Sequence, residues 1–215
     1  RTTRALLAPA AILRVRLADF NSVRWLPTPP LDRSEQAIYG SEHVFGGSSP
    51  TVVTQPYRAP EILLGCTTYS IAIDMWACGC VFAEILLGRF LFASDSDIGQ
   101  LFKIFEIRGT PGLGECRDVW EGVEELPYFS PCFPSMRPKD IEDVCPALKG
   151  EPEAKDLLLG MLQLDPSRRI TAAAALQHPF FGDLRAEAAG DSSVPTGLQF
   201  SPPGHGGAAG GVVAS

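Results

Sequence analysis

The sequence predicts a mainly α-helical domain that is followed by a disordered tail. Four segments place apolar residues at helical spacing, whereas only one short segment alternates in the manner of a strand. Beyond Phe181 the composition shifts to Gly, Ala, Ser and Pro, which is typical of disorder. The chain has 215 residues, of which 45% are hydrophobic and 20% are charged, so it can form one globular core.

The N-terminal part is predicted to contain one strand and one long loop. Residues 14–18 alternate charged and apolar side chains with period two, and this strand ends at Asp19. Residues 21–50 are punctuated by Pro and Gly and form a connection longer than compact domains usually contain. Such a loop is either functional or disordered.

The segment from residue 69 to residue 88 is predicted to be a buried helix. Ser70 can cap its start, Gly88 can end it, and Asp74 and Glu84 are its only charged residues. A helix that is apolar on nearly all sides belongs in the core of a domain.

Three more helices are predicted, each with one apolar face. The helix over residues 97–108 is expected to pack through four apolar residues: Ile98, Leu101, Phe102 and Phe105. The next helix begins at Pro152, a favoured first position, and stops before residue 165. The last has Thr171 as its cap and ends at residue 178.

The charge balance and the cysteine pattern exclude several classes of protein. Lys and Arg number 18 against 25 Asp and Glu, a net charge of −7, whereas nucleic-acid binding needs clustered cations. The apolar run over residues 5–13 is far shorter than the roughly 20 residues of a membrane span. The six cysteines lack CxxC spacing and the three histidines are scattered. We therefore expect no nucleic-acid or membrane partner, no zinc site, and reduced thiols in an intracellular protein, with Cys78 and Cys80 buried.

Several motifs follow one another in an order that carries a family resemblance. Asp19-Phe20 follows the strand, the long loop comes next, Tyr57-Arg58-Ala59-Pro60-Glu61 follows the loop, and the helix with Asp74 comes last. This order resembles the C-terminal half of eukaryotic protein kinases, which have Asp-Phe-Gly, an activation loop and Ala-Pro-Glu in the same relation. The sequence is most similar to cyclin-dependent kinases, and the matching runs are 51–61, 69–84, 96–105, 109–111, 119–120, 133–134, 165–170 and 178–181.

The resemblance implies a protein-kinase-like C-terminal lobe without the β-rich N-terminal lobe. The partial kinase domain would cover residues 1–181, its activation segment residues 19–61, and the disordered tail residues 182–215. At the position of Asp19, the family's aspartate binds the Mg²⁺ that holds ATP, and a carboxylate at a strand end suits this oxygen-seeking cation.

Three residues would be structural by the same resemblance. Glu61 and Arg169 match an ion pair that joins the end of the activation segment to a later helix, and a guanidinium can bind a carboxylate through two parallel hydrogen bonds. Asp74 matches a residue that accepts backbone hydrogen bonds from the catalytic loop. Those bonds would offset the cost of placing a carboxylate in an apolar helix.

The resemblance also implies a substrate preference. Val53 and Arg58 match positions that favour proline after the phosphorylated Ser or Thr. The arginine donates to a backbone carbonyl at this position, so the N–H of the residue after the phosphorylated Ser or Thr would stay unpaired. Proline has no N–H and therefore loses no hydrogen bond there. Pro56 replaces the bulky aromatic residue that the family has before Tyr57. Thr54 matches the threonine that contacts the catalytic loop.

Regulation by phosphorylation is a further implication of the resemblance. Ser49 is followed by Pro50 and lies where the family carries its activating phosphothreonine, and Thr51 lies close by. Arg24 matches one of the arginines that clamp this phosphate. A charge-assisted phosphate–arginine pair can order a loop.

Two functions from different classes are open. In the first, the chain belongs to a Ser/Thr protein kinase of the cyclin-dependent type, which phosphorylates protein substrates with a cyclin or another regulatory subunit, in the cytoplasm or nucleus. The Gly-rich loop, strand lysine and His-Arg-Asp loop of a working kinase are not visible. The chain is therefore expected to be truncated, a poor binder of ATP and Mg²⁺, and inactive alone. In the second, it is a catalytically dead kinase-like lobe that binds proteins through residues 97–105 and 128–137.

Overall fold

The computed structural model describes residues 54–66, 70–112 and 119–182. The chain divides into two units, Arg1–Phe180 and Phe181–Ser215, and the helices that surround the site belong to the first. The predicted strand over 14–18, the predicted loop over 21–50 and residues 183–215 of the predicted tail lie outside the described residues.

The described residues form helices and no strand, which confirms the predicted mainly α-helical fold. Six segments are α-helices: α1 (Pro60–Leu63), α2 (Ala72–Leu87), α3 (Asp97–Arg108), α4 (Ile141–Val144), α5 (Pro152–Met161) and α6 (Ala172–Leu176). Four short segments are 3₁₀ helices: Gln55–Tyr57, Val123–Glu125, Pro146–Leu148 and Pro179–Phe181. Of the helices within the described ranges, none has the length and hydropathy needed to cross a bilayer.

Helix α2 is the longest of these elements, and it begins later than the sequence predicts. Its first residue is Ala72, whose N–H donates to Ser70 Oγ at 3.2 Å, so Ser70 stabilises the turn before the helix and is not its cap. Gly88 ends the helix as predicted. Its φ of +67° is a left-handed conformation that glycine adopts without a steric penalty.

The prediction that α2 is buried is correct for only one side of the helix. Trp76, Cys80 and Ala83 are buried in the core. The opposite side is exposed and comprises Asp74, Cys78, Val81 and Ile85. The expected burial of Cys78 is therefore wrong. A helix that is apolar on nearly all sides carries no periodic signal of which side packs inward, so the sequence could not identify the exposed side.

Helix α3 has the predicted bounds but a different buried face. Ser96 caps its start by accepting a hydrogen bond from Gly99 N at 3.1 Å. Leu101 and Phe105 are buried as predicted, whereas Ile98 is 50% exposed. Gln100 is fully buried, and its Nε2 donates to the carbonyl of Phe92 at 3.3 Å. This polar residue therefore occupies a core position, and the buried face is rotated away from Ile98.

Helices α5 and α6 agree with the sequence predictions. Helix α5 begins at Pro152 and packs against α2, and α6 is capped by Thr171 Oγ1, which accepts from Ala174 N at 3.2 Å. The α2–α5 packing is close at Gly79, where a Cβ would lie 2.9 Å from Leu162 Cδ2 and from Met161 Cβ. Only a residue without a side chain leaves this spacing undisturbed.

The loop before α4 is held against α3 by aromatic and polar contacts. Phe133 makes edge-on contacts with Phe102, Phe105 and Phe129 at centroid distances of 5.8–5.9 Å. Thr110 Oγ1 donates to the carbonyl of Pro134 at 2.7 Å and accepts from Met136 N at 3.1 Å. These contacts fix the position of the loop relative to α3.

We predict that Gly79→Val lowers the free energy of unfolding by about 1–3 kcal/mol, because the new side chain overpacks the α2–α5 contact. Guanidinium-induced unfolding measures the change. The matched control is Cys78→Val, which places the same side chain at the neighbouring, exposed position of the same helix and should change the free energy by less than about 0.5 kcal/mol. Equal losses in both variants would contradict the close packing at Gly79.

Candidate functional site

The site is built around an ion pair between Glu61 and Arg169. The two guanidinium nitrogens of Arg169 donate to the two carboxylate oxygens of Glu61, Nη1 to Oε1 at 2.7 Å and Nη2 to Oε2 at 2.9 Å. Glu61 is 2% exposed and Arg169 is 4% exposed. The pair is therefore bidentate and removed from water, as the sequence resemblance implies.

Arg169 also donates to three backbone carbonyls in two segments of the chain. Its Nη1 donates to the carbonyl of Ala72 at 2.7 Å, at the first residue of α2. Its Nε donates to the carbonyl of Gln163 at 3.1 Å, and its Nη2 approaches that of Leu164 at 3.4 Å. The guanidinium carbon lies 5.2 Å from the centroid of the Trp76 ring, which adds a cation–π contact. One side chain thus connects α1, α2 and the segment after α5.

The energetic consequence follows from the burial of both charges. A buried pair is desolvated at a cost of several kcal/mol per ion, and this cost is offset only when the remaining hydrogen-bonding capacity is also used. The carbonyl contacts of Arg169 supply that compensation. Removing one partner would leave an uncompensated charge inside the protein, so the pair makes the position of α1 strongly dependent on Arg169.

Arg58 is the second buried arginine of the site. It is 6% exposed, and its Nη1 donates to Asp97 Oδ1 at 2.5 Å. Asp97 opens α3, where a negative charge interacts favourably with the helix dipole. The ion pair joins the segment before α1 to α3 and fixes the orientation of Arg58.

Tyr57 attaches the same segment to α2. Its hydroxyl donates to Glu84 Oε2 at 2.8 Å, and its ring makes an edge-on contact with Phe90 at 5.9 Å. The hydrogen bond to Glu84 and partial burial raise the pKa of Tyr57, so the hydroxyl keeps its proton at neutral pH. The segment that precedes α1 is therefore held on one side by α3 and on the other by α2.

A pocket of about 250 Å³ opens beside Arg58. Its floor is formed by α1 and α3, and its lining residues are Arg58, Ile62, Leu63, Asp97, Ile98, Leu101 and Tyr128. Ile98 and Tyr128 are half or more exposed, so apolar surface borders the Arg58–Asp97 ion pair, in which Arg58 is buried and Asp97 is partly exposed. The arrangement is suited to receive an apolar side chain of a peptide next to a fixed charge pair.

Asp74 is exposed in the first turn of α2, whereas the sequence predicts that its side chain is buried. Partial desolvation of the carboxyl raises the pKa of Asp74. The catalytic-loop contact that the resemblance implies for this residue stays a prediction.

Of the remaining predicted site residues, the structure describes Thr54, which has no contact with the Glu61–Arg169 pair. Thr54 is exposed, and its carbonyl accepts from Tyr57 N at 3.0 Å. Five others lie outside the described residues: Asp19, Arg24, Ser49, Thr51 and Val53. Within the described ranges, no group of three or more His, Cys, Asp or Glu side chains is arranged to hold a metal ion.

Sequence reasoning missed Asp97 and Glu84 as members of the site. Asp97 lies 39 residues from Arg58, and Glu84 lies 27 residues from Tyr57. Glu84 carries one weak signal, because a charged residue in an otherwise apolar helix needs a partner. Asp97 carries no such signal, since an acidic residue in the first turn of a helix is common without any tertiary role.

Comparisons with known proteins identify the family of the chain. Residues 11–181 match the family described as "Protein kinase domain". The chain is 44% identical over 182 residues to the "Cell division control protein 2 homolog 3" of Trypanosoma brucei brucei, an alignment that covers 82% of this chain and 52% of that relative. The chain thus spans about half the length of the curated relative that it matches. The predicted resemblance to cyclin-dependent-kinase-like Ser/Thr kinases is confirmed.

We predict that Arg169→Met lowers the free energy of unfolding by about 3–5 kcal/mol, because Glu61 then stays buried without a counter-charge. The control is Arg168→Met, since Arg168 is more than half exposed and its nearest carboxylate oxygen, on Asp165, is 3.7 Å away. Denaturant unfolding of both variants gives the comparison.

A second substitution separates the charge effect from lost packing. Glu61→Gln in the Arg169→Met background should recover part of the loss, because no charge is then buried. Strictly additive losses in this double-variant cycle would show that the pair is not energetically coupled.

Proposed function

Because the chain belongs to the protein kinase family, we propose that the protein is a Ser/Thr kinase of the cyclin-dependent type, which transfers the γ-phosphoryl group of ATP to protein substrates. The observation that carries the proposal is the buried, bidentate Glu61–Arg169 pair at the end of the activation segment. Phosphoryl transfer depends on positioning, and this pair fixes the segment on which substrate would bind.

ATP and Mg²⁺ are the cofactors of the proposed reaction, as they are in the protein kinase family generally. Asp19 is the residue that we assign to Mg²⁺, on the resemblance of Asp19-Phe20 to the family motif. A carboxylate provides the hard oxygen ligands that this cation prefers. The cation would neutralise charge on the ATP phosphates during transfer.

The proposed substrate is a Ser or Thr followed by proline. In support, Arg58 is buried and its direction is fixed by Asp97, so it can satisfy a carbonyl at the position of Val53. When this carbonyl already accepts a hydrogen bond, a residue other than proline after the acceptor Ser or Thr has an unpaired N–H, at a cost of about 1–3 kcal/mol. Proline has no N–H and avoids this cost. In the sequence, Pro56 lies between Val53 and Arg58, and it belongs to the 3₁₀ helix Gln55–Tyr57.

Regulation is proposed to act through the activation segment. Phosphorylation of Ser49 or Thr51 would add close to two negative charges, and Arg24 would bind this phosphate. Thr54 would contact the catalytic loop and Asp74 would accept its backbone hydrogen bonds. A cyclin or another regulatory subunit would complete the active form in the cytoplasm or nucleus.

A second function is favoured by the pocket beside Arg58. A kinase-like lobe without activity would use the surface formed by residues 97–105 and 128–137 to bind a partner protein. Ile98 and Tyr128 give this surface its exposed apolar area. The two functions make different predictions for phosphate transfer.

We predict phosphate transfer by protein that is immunopurified from its native cells and incubated with Mg²⁺ and radiolabelled ATP. Two peptides that differ only in Pro or Ala after the acceptor Ser test the preference, and transfer should be about tenfold faster to the Ser-Pro peptide, which corresponds to 1.4 kcal/mol. The 215-residue chain alone should show no transfer, because its sequence contains no His-Arg-Asp motif.

The control is the same protein carrying Asp19→Asn, which removes the proposed Mg²⁺ ligand and should abolish transfer. Equal rates with both peptides would contradict the proline preference. Transfer that is absent from the unsubstituted protein, or unchanged in the Asp19→Asn protein, would contradict the proposed kinase activity. Absent transfer together with retained partner binding would favour the second function.

We also predict that mass spectrometry of the protein from its native cells finds phosphate on Ser49 or Thr51. Phosphatase treatment should then slow transfer, because Arg24 loses its anionic partner. Finding neither residue modified in active protein would contradict this regulation and leave the kinase proposal intact.

A further inference from the structure

A second pocket lies on another side of α3 and differs in charge from the one beside Arg58. Its volume is about 250 Å³, and it lies where the end of α2, helix α3 and the segment before α4 meet. Three cations line it: Arg89 after α2, Lys103 on α3 and Lys139 before α4. Glu106 is the one carboxylate among the described residues that line this pocket.

The cations outnumber the acid in a protein whose net charge is −7. Glu106 contacts both lysines, at 3.1 Å to Lys103 Nζ and at 2.6 Å to Lys139 Nζ, and these contacts lower the pKa of Glu106. One carboxylate therefore holds two ammonium groups at the rim of the same pocket. Two positive charges remain in excess there.

Arg89 is the cation without such a constraint. It is exposed, and it forms no ion pair with any carboxylate in the described part of the chain. A guanidinium presents a planar set of donors that matches the oxygens of a phosphate. Arg89 can thus bind an anion without first breaking an ion pair with a described residue.

The rest of the lining limits the kind of ligand. Phe90 and Ile107 supply an apolar wall, and Phe90 is 43% exposed. The lysine side chains are about half exposed, so the pocket is open to an approaching chain. A phosphate on Ser or Thr carries about −1.5 to −2 charges at neutral pH, which balances the excess at the pocket.

We propose that this pocket, formed by Arg89, Lys103 and Lys139 around Glu106, binds a phosphorylated Ser or Thr of a partner protein with an apolar residue next to it. The phosphate accepts hydrogen bonds from Arg89 and the two lysines, and the apolar residue packs on Phe90 and Ile107. Binding here goes beyond the proposed kinase activity, because it recognises a phosphate that is already on the partner.

Fluorescence anisotropy of the 215-residue chain with a labelled phosphothreonine peptide tests the proposal, without ATP in the assay. The peptide carries Leu and Phe beside the phosphothreonine, and its unphosphorylated twin is the reference. We expect the phosphopeptide to bind about tenfold more tightly, and more weakly at higher salt. Because no phosphate transfer is measured, failure here is distinguishable from failure of the kinase proposal.

Matched variants identify the site. Arg89→Ala should weaken phosphopeptide binding by about tenfold, the loss of a charge-assisted contact. Lys149→Ala removes the same charge at an exposed position that does not line the pocket, and it should leave binding unchanged. Glu106→Gln should tighten binding, because it removes the competing carboxylate. Thermal unfolding of each variant confirms that it is folded.

Several outcomes would overturn the proposal. Equal affinity for the phosphorylated and unphosphorylated peptides would exclude phosphate recognition. Equal weakening by Arg89→Ala and Lys149→Ala would indicate attraction by overall charge without a site. Phenyl phosphate that binds as tightly as the phosphopeptide would indicate a site for small phosphomonoesters and would exclude the proposed protein partner.

Discussion

The buried contact between Glu61 and Arg169 constrains the arrangement of the described helices. Both charges are withdrawn from water, and Arg169 also binds the backbone at the start of α2 and after α5. The cost of burying this arginine is offset by the carboxylate and the backbone carbonyls that accept its hydrogen bonds. The pair therefore makes the placement of α1, α2 and the segment after α5 mutually dependent. The segment that precedes α1 is positioned by the same pair.

Two further contacts carry this constraint to the segment before α1. The Arg58–Asp97 pair connects the segment to α3, and the Tyr57–Glu84 hydrogen bond connects it to α2. A backbone held from both sides presents a fixed direction to a peptide, and this preorganisation reduces the entropy that binding must remove. The proposed substrate preference depends on that fixed direction.

The local sequence allowed most of the fold to be predicted. Residues within one or two helical turns indicate where a helix begins and ends. Such residues predicted the bounds of α3, the start of α5 at Pro152 and the cap of α6 at Thr171. The Glu61–Arg169 pair could be predicted only through the family resemblance, because its members lie 108 residues apart. Spacing within a helix reports which residues share a face, and it carries no information about what that face contacts.

By itself, the sequence determined the mainly helical content of the described residues and the helix ends at caps, Pro and Gly, whereas the central ion pair was predictable only through the family resemblance. The tertiary structure alone decided that Gln100 is buried while Ile98 is exposed, and that α2 leaves Val81 and Ile85 in contact with solvent. It also selected Asp97 as the partner of Arg58 and brought Arg89 to the same pocket as Lys139. Caps and turns are satisfied by neighbours in the chain, whereas burial and charge pairing depend on which distant segments pack together.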